Sequence, residues 1–274
     1  MVFGINFITG RSILGLTVAF PALLISAHIW DIYEKTRIVD WQRITSKDDA
    51  SATFRQSITI KNLVNPRDHI STSDLRYADL KLPRAAQGLN DDYLLAAFIR
   101  GFFGGKVFMP ERVVLQVVRR KLAFFEGLST KNDIEQVWSV SDIPRHTLPA
   151  QGSLFFGAFQ VGHVEVHNYR ISAVEGENTT SSIDFVYGSD QGRFAGAHRF
   201  SITRDTSRQD VIRITYESLS CNPTTNRRFA PGFLIAFHEV YASWLFKESI
   251  SQVLRVLEPQ ADLTKDGPVL LAGQ

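Results

Sequence analysis

The chain has 274 residues, 44% of them hydrophobic and 21% charged, which is the composition of one large or two small globular domains and excludes wholesale disorder and a polytopic membrane protein. Lys and Arg total 30 against 28 Asp and Glu, a net charge of +2 with no basic stripe, so nucleic acid is not an expected partner. Cys221 is the single cysteine, which excludes an intrachain disulfide framework and a cysteine-rich zinc site, and 20 Phe against two Met point to aromatic walls.

Residues Ile13–Trp30 carry no charge. At 1.5 Å per residue a helix there reaches about 27 Å, enough to cross a hydrocarbon core. Trp30 and Tyr33 stand where interfacial aromatics belong, with Lys35 and Arg37 beyond. Ile25-Ser26-Ala27 is a poor cleavage site for a signal peptide. The segment predicts a single-pass membrane anchor over 1–30, in the endoplasmic reticulum if the source is eukaryotic. A stalk over 31–49, one ligand-binding-like domain over 50–258 and a tail over 259–274 follow from it.

Beyond the stalk, Phe54–Ile60 alternates like a first strand, with a second around Leu75–Leu82. Asn90-Asp91-Asp92 can cap a helix that Gly104-Gly105 stops. Pro110 opens another, with Val114, Val117, Val118, Lys121, Leu122 and Phe125 as one stripe and Gly127 as its end. From Ile134 the period changes to two, predicting strands at 134–140, 154–161, 164–174, 183–187, 195–203 and 211–219 joined by short polar turns. Phe233–Leu257 reads as one long helix whose apolar stripe holds Leu234, Phe237, His238, Tyr241, Trp244 and Leu245. The expected fold is therefore α+β: a transmembrane helix, then an antiparallel sheet gripped by a long C-terminal helix, as in START-like helix-grip folds.

Asp92-Tyr93, Phe102-Phe103, Phe108-Met109-Pro110-Glu111-Arg112, Tyr187-Gly188-Ser189 and His238-Glu239-Val240-Tyr241 together resemble a family of small uncharacterised bacterial proteins of helix-grip type. That family has an acidic-Tyr opening, a Phe-x-x-Glu-Arg helix, a Gly-Ser strand end and a His-x-x-Tyr-Ser final helix. The resemblance covers residues 91–257, departs at the inserted Tyr187 and at Ala242 in place of Ser, and implies a domain without implying a reaction. The anchored layout is also similar to small proteins that accompany membrane oxidases in fungal secondary metabolism.

His163, Glu165 and His167 alternate, so a strand places all three on one face. Such a face suits a metal, an acid/base pair or plain solvation. His238 and Tyr241 are neighbours on the final helix, where an imidazole beside a phenol can exchange a proton with a ligand or simply pack in a core. Phe237, Trp244 and Tyr187 are the expected ligand contacts. No metal and no cofactor are expected. The function read from this is binding of a lipophilic intermediate by an accessory partner of a membrane enzyme, such as an oxidase, in secondary-metabolite biosynthesis. A cofactor-free cyclase or isomerase and a lipid-transfer module are the alternatives. The partners expected are the lipid bilayer, a lipophilic small molecule and that enzyme.

Overall fold

The computed structural model describes residues 24–128, 134–167, 178–205, 207–208, 210–229, 231–261 and 268–271. The helices are α1 (residues 24–36), α2 (Ala52–Arg55), α3 (Asp91–Gly104), α4 (Met109–Val118) and α5 (Gly232–Ala261), with a π-helical turn over Thr59–Val64. The strands are β1 (Thr45–Lys47), β2 (Ser71–Lys81), β3 (Gln136–Val137), β4 (Leu154–Phe155), β5 (Phe159–Glu165), β6 (Thr179–Gly188), β7 (Ala195–Arg204), β8 (Val211–Cys221) and β9 (Val269–Leu270). They form one sheet in the order β1-β2-β8-β7-β6-β5-β4-β3, with β9 also on β2. Every pairing is antiparallel except β3 with β4.

The register decides which residues share a face. Across β2, β8, β7, β6 and β5, one row runs Thr72, Ser220, Gly196, Tyr187, Phe159 and the next runs Asp74, Ser218, His198, Phe185, Val161. Beyond them Tyr216, Phe200 and Ile183 continue the same face into the main core, where Phe98, Phe102 and Phe103 of α3 pack on it. The opposite face carries a smaller cluster that includes Phe54, Ile60, Val64, Phe125 and Val186.

α3 and α5 approach very closely. A Cβ at Gly101 would lie 2.5 Å from the Ser249 Cα, so only glycine fits there. Glu248 of α5 accepts from the Lys106 and Val107 backbone N–H groups at 2.7 and 2.8 Å and so ties the α3–α4 turn. The glycines around 101–105 thus serve helix packing. The N-terminus of α3 is fixed by buried Asp91, which accepts from Arg204 Nε at 2.7 Å and from Ser181 Oγ at 2.7 Å. Both partners are desolvated, so removing Arg204 leaves the buried Asp91 carboxylate without its counterion.

Several expectations are corrected. Among the described residues no helix is long and apolar enough to cross a membrane. Most of the predicted span lies outside the described residues. Its described part, residues 24–30, opens α1, which continues through Asp31, Glu34 and Lys35, and Asp31 pairs with Lys106 at 2.8 Å. That overturns the transmembrane helix and the single-pass membrane localisation.

The helix-grip arrangement is corrected as well. Phe98 touches both Phe200 on β7 and Phe246 on α5, with ring centroids 5.1 and 5.8 Å away, so α3 shares the sheet with α5 and α5 does not grip it alone. The stretch read as a stalk supplies part of α1 and edge strand β1, and the tail supplies β9. Phe54–Ile60 is not a strand: Ser51 Oγ accepts from Phe54 N and caps α2 instead. The α4 stripe is inverted. Arg112 and Leu115 are buried while Val114 and Val117 are exposed, because Arg112 reaches back to the Phe103 carbonyl at 2.6 Å and the helix ends at left-handed Arg119. The predicted strand over 134–140 is short, and the one over 164–174 ends at Glu165 among the described residues.

Candidate functional site

A cavity of about 460 Å³ lies between the sheet face just described and α5. Its floor is Thr72, Asp74, Ser218, Ser220, His198 and Tyr187; its roof is His238, Tyr241 and Leu245; Phe102, Phe108 and Phe159 close the sides. The volume falls in the range that takes a small molecule, and the lining mixes aromatic walls with a few polar groups, as ligand sites do.

The floor is built from alternation. Tyr187 lies flat over Gly196, whose missing Cβ would be 2.5 Å from the tyrosine ring. The Tyr187 hydroxyl shares a 2.8 Å hydrogen bond with Ser220 Oγ. His198 stacks obliquely on Tyr187 at 4.5 Å and shares a 3.1 Å hydrogen bond between its Nδ1 and the Tyr216 hydroxyl. The His238 ring lies nearly parallel to that of His198, with centroids 6.2 Å apart. His238 Nε2 is buried with no hydrogen-bond partner among the described residues, a state that costs free energy until something meets it.

At the β2 side Asp74 pairs with Arg76, and Arg76 also donates to Ser243 Oγ at 2.9 Å and to the Glu239 carbonyl at 2.8 Å. On the α4 side the Tyr241 hydroxyl donates to Glu111 Oε2 at 3.1 Å. Burial pushes the Asp74 and Glu111 carboxyls up, outweighing Arg76 for the first and the Tyr241 hydrogen bond for the second. Burial holds the His198 imidazole well below its usual range and lowers His238, against the pull of Asp74. Burial raises the Tyr187 phenol to about 12 and lifts Tyr216 and Tyr241 too. The interior therefore disfavours the charged forms of its carboxyls, imidazoles and phenols, Asp74 included.

His238, Tyr241, Phe237 and Tyr187 line this cavity. Trp244 does not: it stands edge-on to Trp41 at 5.0 Å, with Lys247 Nζ 4.4 Å from the Trp41 ring centroid. His163 and Glu165 lie on the other face of the sheet, and His167 follows just beyond the end of β5. A register shift between Val161 and His163 turns Val164 toward Ile183 and sends His163 opposite Asp184. Glu165 and His167 are exposed or half-exposed and pair with each other at 3.2 Å. Among the described residues no group of His, Cys, Asp or Glu is arranged to hold a metal.

Sequence reasoning missed Asp74, Arg76, Glu111, His198, Tyr216, Ser218 and Ser220 as parts of one site. The signal was present in the spacing by two of Thr72, Asp74, Arg76 and of Tyr216, Ser218, Ser220, but only the register brings those runs beside His198.

No family model and no curated protein matches the chain. A solved structure of a hypothetical protein from Helicobacter pylori aligns with 76% of this chain and 98% of its own length, at 11% identity and a TM-score of 0.28. At that score the similarity carries no argument about fold or function.

Proposed function

We propose that this protein binds one small, mostly apolar molecule in the cavity beneath α5, with His238 meeting a polar group of that molecule. The observation that carries the reading is the cavity itself: aromatic on its sides, with a buried imidazole nitrogen in its wall that no group among the described residues satisfies. A ligand oxygen at that nitrogen removes the cost of leaving it unpaired. The accessory role beside a membrane enzyme rested on a spanning anchor and loses its support with it.

The test is displacement of a lipophilic fluorescent dye by decanol, in the wild type and in Leu245→Trp, which fills the roof. The wild type should take up one equivalent and the variant none, at an unchanged melting temperature. Equal uptake by both proteins refutes the site.

A second reading, cofactor-free isomerisation or cyclisation, is favoured by Glu111, Tyr241 and His238 lining one cavity with a carboxyl held toward its neutral form. Under this reading His238 takes a proton from an acidic C–H of the bound molecule and a neutral carboxyl donates one. In D2O, a bound β-diketone should exchange its C–H proton faster with wild type than with His238→Ala. Equal exchange rates remove the acid/base role and leave the binding role.

A further inference from the structure

Phe194, in the loop between β6 and β7, and Phe229, in the loop after β8, line the cavity at the end where these strands meet their loops. Two loops form that rim. Thr224 Oγ1 donates to the Gly192 carbonyl at 3.0 Å, and the Phe194 and Phe229 rings contact each other at 5.1 Å, so the loops are held as one edge. Phe237 of α5, 68% exposed, completes the mouth.

The residues beside these rings are basic. Arg193 precedes Phe194, and Arg227-Arg228 precede Phe229; all three arginines are exposed. None of the three has an ion-pair or hydrogen-bond partner for its guanidinium among the described residues. Glu239 is the one carboxylate among the lining residues that is itself exposed, and Asp190, in the first loop, accepts from the Glu126 backbone N–H at 2.9 Å. The rim thus carries an excess of unpaired positive charge around three aromatic rings.

The inside and the rim make opposite demands. Within the cavity the Asp74 carboxyl is already paired with Arg76 and the Glu111 carboxyl with the Tyr241 hydroxyl, and the other buried polar groups are hydroxyls and imidazoles among aromatic rings. An unpaired charge brought there loses its hydration without a counterion. At the rim a carboxylate or phosphate keeps part of its water and meets guanidiniums that suit planar oxyanions.

We propose that the ligand is an amphipathic organic anion, its apolar body in the cavity and its anionic head at the mouth between Arg193, Arg227 and Arg228. This inference rests on the cavity-binding reading and adds the charge and the direction of the bound molecule. The same anionic chemistry is presented by a free acid and by the headgroups of an acidic bilayer, and the free acid is favoured because Arg193 and Arg228 directly precede Phe194 and Phe229, two rings that line the cavity.

The experiment compares decanoate with decanol by calorimetric titration, in the full chain and in the triple variant Arg193→Gln, Arg227→Gln, Arg228→Gln. Decanoate should bind the variant about tenfold more weakly, while decanol binds both proteins alike. The advantage of decanoate over decanol in the wild type should shrink as salt rises. Unchanged decanoate affinity in the variant, with decanol still bound, overturns the anionic head and leaves the cavity reading intact. Binding of neither compound sinks both. Co-sedimentation with phosphatidylglycerol vesicles that is lost in the variant, while its decanoate affinity is kept, assigns the arginines to a bilayer and also overturns the proposal.

Discussion

His198 and Arg199 are adjacent in sequence and lie on opposite faces of the same sheet, and the two faces solve the burial of polar groups differently. On the outer face the register sets His163, Asp184, Arg199 and Glu217 in one row. Asp184 takes both Arg199 nitrogens at 2.7 and 2.8 Å and also accepts from Thr59, while Glu217 accepts from the Ser51 N–H at 2.7 Å. That row is closed: its main charges are answered within the protein. The inner row, from Asp74 to His198, keeps an unanswered imidazole above it and an empty volume beside it. A polar row with every partner present is structure, and a polar row with a partner missing is a site.

The largest expected effect lies on the outer face. Asp184→Ala should lower the unfolding free energy by about 3–5 kcal/mol in chemical denaturation, because it strands Arg199 against the Phe54 ring. A loss below about 1 kcal/mol shows that the row is solvated and not closed. Next, Gly196→Ala forces the Tyr187 ring out of the floor. The expected cost is about 1–3 kcal/mol, accompanied by weaker uptake of decanol. Normal stability together with normal uptake contradicts the packed floor.

A smaller effect comes from pH. His198 is held below its ordinary range by burial, with Tyr187, Tyr216 and His238 facing it. The unfolded chain therefore binds the proton more readily. The stability that the neutral ring supplies is complete above about pH 6.5 and is lost as pH falls below it. Asp74 and Glu111 are shifted up and act in the opposite sense, so the comparison must be against His198→Gln. Below pH 6.5 the wild type should lose stability relative to that variant by up to about 1.4 kcal/mol per pH unit. Parallel curves contradict the desolvated histidine.

Much of this architecture was legible in the sequence. The α3 helix, the central strands and α5 follow from period and punctuation, since long regular segments carry their own signal. Phe54–Ile60 misled because β-branched residues suit a strand, while the Ser51 cap and the packing of Phe54 under Arg199 select helix. The apparent anchor misled because an apolar run shows its length and not its neighbours.

The site was legible only in part. His238 and Tyr241 could be read from helical spacing, but His163, Glu165 and His167 depend on which face is buried. One bulge at Val161–His163 reverses that parity, and no periodicity reveals it. A usable clue lay elsewhere. Inward positions change from Ala78 and Leu80 to Thr72 and Asp74 on β2, from Ile212 and Ile214 to Ser218 and Ser220 on β8, and from Phe200 to His198 on β7. Each strand turns from apolar to polar at the same level, and the cavity begins there.

The most direct test follows the histidine ring signals by NMR while decanol is titrated into the protein. Saturable shifts are expected at His198 and His238 with a single midpoint, and none at His163, which lies across the sheet, or at His167 beyond the strand end. Shifts at His163 and His167 with His198 and His238 unmoved would place the binding site on the wrong face in this account and contradict it.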